Sequence, residues 1–330
     1  MFPALLAQCP LGTSAAKRAG ARPRRKSPPT PTPPPPPPHG GCAATRAHGC
    51  RSCSCWGSSP SSGASRRAAA TSSSRARPKC GTTWLKALAF ATMARGAHPP
   101  ARAEHPLLRL NPHDCVPFMY NLFAAGSGSA LDALPSPRLM STHMHHSLLP
   151  ASITENPGCK IIYICRDPKD MLVSLWHFVR ELIPDLTFSD LFEHACQGVS
   201  YNGPIWDHVL GYWNASKASP EKVLFLRYED MLRNPIDNTR NLARFVGQPF
   251  SPAEEEEGVA MDIVRLCNFE KLKNLEVNRN AGSSRLLMAN DKYFRKGKVG
   301  DWVNHMTPDM ARRLDTIVEE KLRGSGLSFA

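Results

Sequence analysis

Three runs of this 330-residue chain carry groups that could hold an anion, and a fourth carries one that could move a proton. Pro78-Lys79-Cys80-Gly81-Thr82-Thr83-Trp84 leads straight into residues 85–93, an apolar stretch with helical character. Backbone N–H groups at a helix start lack partners within the helix, the helix dipole is positive there, and a glycine lets the main chain approach closely. With Lys79 beside it, the run suits a phosphate cradle; read alone, it equally suits a helix capped by Thr82 or Thr83. In the second run, residues 160–165 are Lys-Ile-Ile-Tyr-Ile-Cys and end at Arg166, and Asp167-Pro168 then opens a helical pattern. A strand of this kind delivers Arg166 to a cleft, with Ser174 about two turns down the next helix. A guanidinium there suits a second phosphate, or an ion pair with Asp167 or Asp170. The third run, Arg295-Lys296-Gly297-Lys298-Val299-Gly300-Asp301-Trp302, sets two adjacent cations ahead of glycines, either as a clamp on the same anion or as a solvated loop.

The proton-moving run is Ser141-Thr142-His143-Met144-His145-His146. An imidazole titrates near neutral pH and can take a proton from a hydroxyl. On a strand, His143 and His145 share a face and His146 points away. A metal pair at that spacing has no evident third ligand, so no metal is expected.

These groups need a frame, and the chain alternates as an α/β protein does. Residues 222–228 form a second buried-strand pattern, followed by a helical one that runs to Val246 and stops at Gly247. Further helical spacing covers residues 188–196, residues 204–213, the stretch after Glu254, and residues 307–322. Trp206, Val209, Leu210 and Trp213 fall on one face and read as core. Strands alternating with helices predict a parallel sheet with ligands at the carboxyl ends of its strands.

Charge divides the chain in two. Residues 1–77 hold 12 of the 41 Lys and Arg and no Asp or Glu, so the other 29 basic residues face all 28 acidic ones in the body. The formal charge of +13 thus belongs to the leader and does not argue for nucleic acid or membrane as partners of residues 78–330. That leader has a proline tract ending at Pro38 and then Ser, Ala, Arg and Gly with scarcely an aromatic residue, a composition expected to be disordered. Its Cys42, Cys50, Cys53 and Cys55 lack the spacing of a zinc site. The acid-free, Arg- and Ser-rich composition is also that of an organelle transit peptide, which keeps the plastid beside the cytoplasm as a location. No run approaches the roughly 18 apolar residues needed to cross a bilayer. The body's six scattered cysteines, Cys80, Cys115, Cys159, Cys165, Cys196 and Cys267, read as free thiols of a reducing compartment.

In this order and at these separations, the Pro78 to Trp84 run, the Arg166 to Ser174 segment and the Arg295 to Trp302 stretch resemble the signature of the soluble sulfotransferases. The chain is most similar to their plant branch, over roughly residues 78–330. The resemblance implies a single P-loop-type α/β domain, a central parallel sheet flanked by helices, in the cytoplasm. It also implies binding of 3′-phosphoadenosine 5′-phosphosulfate and transfer of its sulfuryl group to a hydroxyl of a small acceptor, flavonoid, steroid or hydroxyjasmonate-like. Carried over residue by residue, it makes Lys79 the group that neutralises the 5′-phosphosulfate and the leaving oxygen. Cys80, where Ser is commoner, joins Gly81, Thr82 and Thr83 in cradling that end, while Trp84 packs on the adenine. Arg166 and Ser174 bind the 3′-phosphate with Arg295, Lys296 and Gly297; Tyr228 reaches the same nucleotide; His143 is the general base.

Departures from the family pattern matter as well. His145 stands where many relatives have Pro. Residues 70–77 contain no apolar run, so the strand that anchors a phosphate loop is not expected. A nucleotide-binding but inactive protein is therefore one alternative. A P-loop small-molecule kinase is another, disfavoured because Lys79 precedes Gly81 instead of following it. Residues 303–309 keep only Thr307 of the segment through which many animal relatives dimerise, so that dimer is not expected. Residues 98–135 are expected to contribute to the acceptor pocket.

Overall fold

The computed structural model describes residues 71–75, as backbone, and residues 79–119, 137–200, 202–279 and 288–329. The leader through residue 70 with its cysteines, Pro78, and residues 120–135 of the expected acceptor stretch lie outside the described residues. Four strands, β1 (Thr71–Arg75), β2 (Arg138–Thr142), β3 (Cys159–Cys165) and β4 (Val223–Arg227), form one parallel sheet in the order β2-β1-β3-β4. Strand β1 corrects the sequence expectation. A strand does precede the phosphate-loop turn, its residues paired with Arg138 to Thr142 on one side and Cys159 to Tyr163 on the other. The ladder is built from main-chain groups that every residue but proline carries, so a Thr-Ser-Ser-Ser-Arg run can fill the slot between two other strands.

Helix α1 (Thr82–Ala94) follows the turn, and its residues from Leu85 to Met93 are all buried. That is why its sequence shows an apolar run and no polar stripe. It carries one cation inside, Lys86, whose Nζ donates to the Val116 carbonyl at 3.1 Å and lies 3.7 Å from the Phe118 ring centroid. Helix α2 (Pro168–Val179) is capped by the Asp167 carboxylate, which accepts from the N–H groups of Lys169 and Asp170. Helix α3 (Ile205–Ala218) stacks Tyr212 on Tyr163 of β3 at 4.2 Å, and its Trp206 and Val209 are buried, as their spacing predicts. Strand β3 is covered on both faces, with Ile161, Ile162, Tyr163, Ile164 and Cys165 fully buried.

After β4 the single predicted helix is two, α4 (Tyr228–Arg233) and α5 (Pro235–Phe245). Pro235 opens the second, and Asn234 before it sits at φ −132°, ψ 64°, outside the helical region that a residue preceding proline avoids. Beyond Gly258, at φ 73°, lies α6 (Val259–Leu266). The last helix, α7 (Pro308–Leu322), begins where predicted, with the Thr307 hydroxyl accepting from the Met310 N–H.

Candidate active site

The turn between β1 and α1 has unusual backbone. Lys79 lies at φ 72° and Gly81 at φ 97°, both in the left-handed region. Gly81 takes the N-cap position with no side-chain cap bond, so α1 is not capped by Thr82 or Thr83 as a plain helix start would be. A Cβ on Gly81 would meet the Tyr228 ring at 2.6 Å, so both conformation and space demand glycine. Tyr228, the first residue of α4 after β4, meets Trp84 edge to face at 5.9 Å. Cys80 turns into the core, 3% exposed, and is the one residue of the predicted nucleotide set that does not line the cavity described below.

Arg166 directly follows β3, as predicted, and makes one of the ion pairs its position allowed. It pairs with Asp170 at 3.3 Å, donates to the Lys298 carbonyl at 2.6 Å, and lies 4.7 Å over the Tyr228 ring. Asp170 also accepts from the N–H groups of Gly300 and Trp302, at 2.7 and 3.1 Å, so α2 fixes the loop that carries Arg295 to Lys298. Arg295 and Lys296 both bond the Asp301 carboxylate. Gly297, at φ 65°, leaves room for Phe269, whose ring a Cβ would meet at 2.5 Å.

The electrostatics ask for an anion. Lys79 Nζ donates weakly to the Lys292 carbonyl at 3.4 Å and stands 4.6 Å from the Phe178 ring centroid. Burial first, then the neighbouring guanidinium groups of Arg295 and Arg166, push its pKa down to about 7. The Nε groups of Arg166 and Arg295 are buried with no hydrogen-bond partner. Three cations, two of them with an unpartnered buried Nε, converge near the glycine turn and fit an anionic ligand.

A cavity of about 980 Å³ joins these groups, lined by Lys79, Gly81, Thr82, Thr83, Trp84, His143, Arg166, Ser174, Tyr228, Arg295, Lys296 and Gly297. Aromatic and apolar side chains, among them Phe118, Phe178, Met288 and Tyr293, complete it. Strand β2 ends at Thr142, so His143 stands beyond the strand and the alternating-face reading does not apply. Its ring lies 5.1 Å from Phe118 and faces the cavity, whereas His145 bonds the Asn202 carbonyl and His146 packs on Tyr212 at 5.4 Å. Among the described residues, no group of three or more His, Cys, Asp or Glu is placed to hold a metal ion. His113 and Phe118, inside the stretch expected to form the acceptor pocket, line the cavity; neither was singled out from the sequence. The available signal was Asn111-Pro112-His113, a capped turn whose third residue points inward.

A glycine turn at the carboxyl end of a parallel sheet, convergent cations and an imidazole in one cavity fit the class of α/β enzymes that bind an anionic ligand at that edge. Residues 76–326 match the sulfotransferase domain family. Cytosolic sulfotransferase 16 of Arabidopsis thaliana is 46% identical over 259 residues, covering 76% of this chain and 75% of that protein. Flavonol 3-sulfotransferase of Flaveria bidentis is 44% identical, covering 76% and 81%. A mouse sulfotransferase crystallised with PAP superposes with a TM-score of 0.61 at 27% identity, covering 79% of this chain and 87% of its own. The chain belongs to the sulfotransferase family, in its plant cytosolic-type branch, and is an enzyme of sulfuryl transfer.

Proposed function

We propose that the chain moves the sulfuryl group of 3′-phosphoadenosine 5′-phosphosulfate to a hydroxyl of a small apolar acceptor such as a flavonoid or steroid, in the cytoplasm. The observation that carries this reading is the convergence of Lys79, Arg166 and Arg295 on a cavity that also presents His143 and a set of aromatic rings. When bound, that donor supplies an activated sulfuryl group and leaves as a bisphosphate. The chain's own residues divide the remaining work. The N–H groups around Gly81, Thr82 and Thr83 hold the 5′ end, and Lys79, whose proton an adjacent anion retains, stabilises charge on the departing oxygen. Arg166 and Ser174, with Arg295, Lys296 and Gly297, bind the 3′-phosphate, while Trp84 packs on the base and Tyr228 braces that ring. His143 takes the proton from the acceptor hydroxyl. The apolar cavity wall and the flavonol acceptor in the name of one relative support the acceptor class.

Strand β1 removes the motive for an inactive protein, and the family match removes the kinase alternative. Incubation with labelled donor and kaempferol, without magnesium, is expected to label the flavonol. His143→Ala should lower kcat by about 10²–10⁴-fold while PAP affinity by calorimetry stays within about two-fold, because general-base catalysis contributes in that range. Undiminished turnover in this variant would remove His143 from the proton transfer.

A further inference from the structure

We infer that His113 is a second hydroxyl-recognising residue of the acceptor cavity. Its Nε2 accepts a hydrogen bond from a hydroxyl other than the one sulfated, so the chain selects acceptors bearing at least two hydroxyls. The inference rests on the acceptor class proposed above.

Its basis is a chain of buried hydrogen bonds with a fixed direction. Asn278 Nδ2 donates to the Leu272 carbonyl at 2.8 Å, which sets the orientation of that amide. Asn278 Oδ1 therefore accepts, and its partner at 2.8 Å is Asn111 Nδ2. Asn111 Oδ1 in turn can only accept, and His113 Nδ1 lies 2.9 Å from it. A main-chain carbonyl at one end thus dictates, three groups away, that His113 carries its proton on Nδ1. Neutral imidazole protonated on Nδ1 has its lone pair on Nε2. The Nδ1 edge is taken by Asn111 and the ring lines the cavity, which leaves Nε2 as the ring nitrogen available to an acceptor there.

Simple structural roles do not require this. Asn111 also caps the turn Pro112–Cys115 by accepting the His113 N–H at 2.9 Å, which any residue at 113 would supply. The ring packs on Tyr293 at 4.1 Å and near Phe118 at 5.8 Å, contacts a phenyl group would make as well. Burial, followed by the nearby Lys86 and His143, pushes the His113 pKa well below its ordinary value, so the ring stays neutral. A neutral nitrogen that can only accept favours an O–H donor over a carboxylate or carbonyl. Phe118 lies 5.8 Å from the His113 ring and 5.1 Å from the His143 ring, so one acceptor lying along Phe118 can offer a hydroxyl to each imidazole.

The test uses the PAP-loaded full chain and two probes, kaempferol and 3-hydroxyflavone, which share the 3-hydroxyl and differ in the others. Calorimetry is expected to show the wild type binding kaempferol about ten-fold or more tightly than 3-hydroxyflavone, the effect of leaving a buried acceptor unmatched. His113→Phe should bring that ratio close to one with 3-hydroxyflavone affinity unchanged. Equal losses for both probes, or a wild type that does not discriminate, would overturn the inference. If the variant does not fold, two-bond proton–nitrogen spectra of the wild type decide instead. They should show His113 as the Nδ1–H tautomer with an Nε2 resonance that moves when kaempferol binds; an Nε2–H tautomer or a stationary resonance refutes it. Failure of the sulfotransferase reading is seen separately, as no sulfuryl transfer by a wild type that binds and discriminates the probes.

Discussion

Lys79 is held where its own charge is unwelcome. Burial and two guanidinium groups bring its pKa to about 7, against 10.5 for an unperturbed lysine. Between those values the folded chain binds fewer protons than the unfolded one, so stability rises with pH across that window, and the cost of the charge is greatest below pH 7. A bound polyanion reverses the balance by favouring the ammonium form. Lys79→Met should accordingly melt higher than the wild type at pH 6 in the absence of nucleotide, by about 2–4 °C for each 1 kcal/mol relieved, with the gap closing towards pH 10. The same substitution should weaken PAP by about ten-fold or more, the loss of a charge-assisted contact. A lower melting temperature at pH 6 would mean that Lys79 supports the fold, and the trade between stability and binding would not exist.

At the scale of elements, the site is held together by Asp170, in the first turn of α2. It pairs with Arg166 at the end of β3 and accepts from Gly300 and Trp302 of the clamp loop. Asp170→Ala leaves a buried guanidinium without its carboxylate and unties the loop. Urea melts should show a loss of about 3–5 kcal/mol, as for a broken buried pair, and PAP affinity should fall by at least about ten-fold. Wild-type affinity in this variant would show that the loop is positioned by other contacts. The sequence revealed these elements unevenly. The isoleucines of β3 and the Thr307-Pro308 start of α7 announced themselves, because side-chain pattern and capping are local. The break at Pro235 is equally local, but helical spacing continues on both sides of it and hides it. His113 could not be seen that way: its proton is placed by Asn278, 167 residues from Asn111 in the chain, and only the fold brings the two amides together.

Over the whole molecule, the least legible feature is the one on which the sheet depends. Strand β1 lies between β2 and β3, and among the described residues β2 otherwise makes only an isolated bridge, Ser141 to Phe118. Nothing in Thr-Ser-Ser-Ser-Arg signals this, since the pairing is made by main-chain groups and the register is fixed by neighbours distant in sequence. The boundary drawn from charge and composition, between residues 77 and 78, therefore separates a strand from the helix it leads into. The described residues, from Thr71 onward, all belong to one compact unit. A chain beginning at Ala68 should retain a cooperative melt and bind PAP. A chain beginning at Pro78 loses the middle of its sheet, leaves β2 with only its bridge to Phe118, and should neither melt cooperatively nor bind nucleotide. Replacing Ser72, Ser73 and Ser74 with Val in the longer chain should raise its stability by up to about 1 kcal/mol per site, because β-branched residues suit a strand paired along both edges. Thermal melts and PAP calorimetry on the three chains decide the matter. If the chain from Pro78 binds PAP as the longer one does, the ladder to β1 contributes nothing to the site and the phosphate loop is anchored by α1 alone.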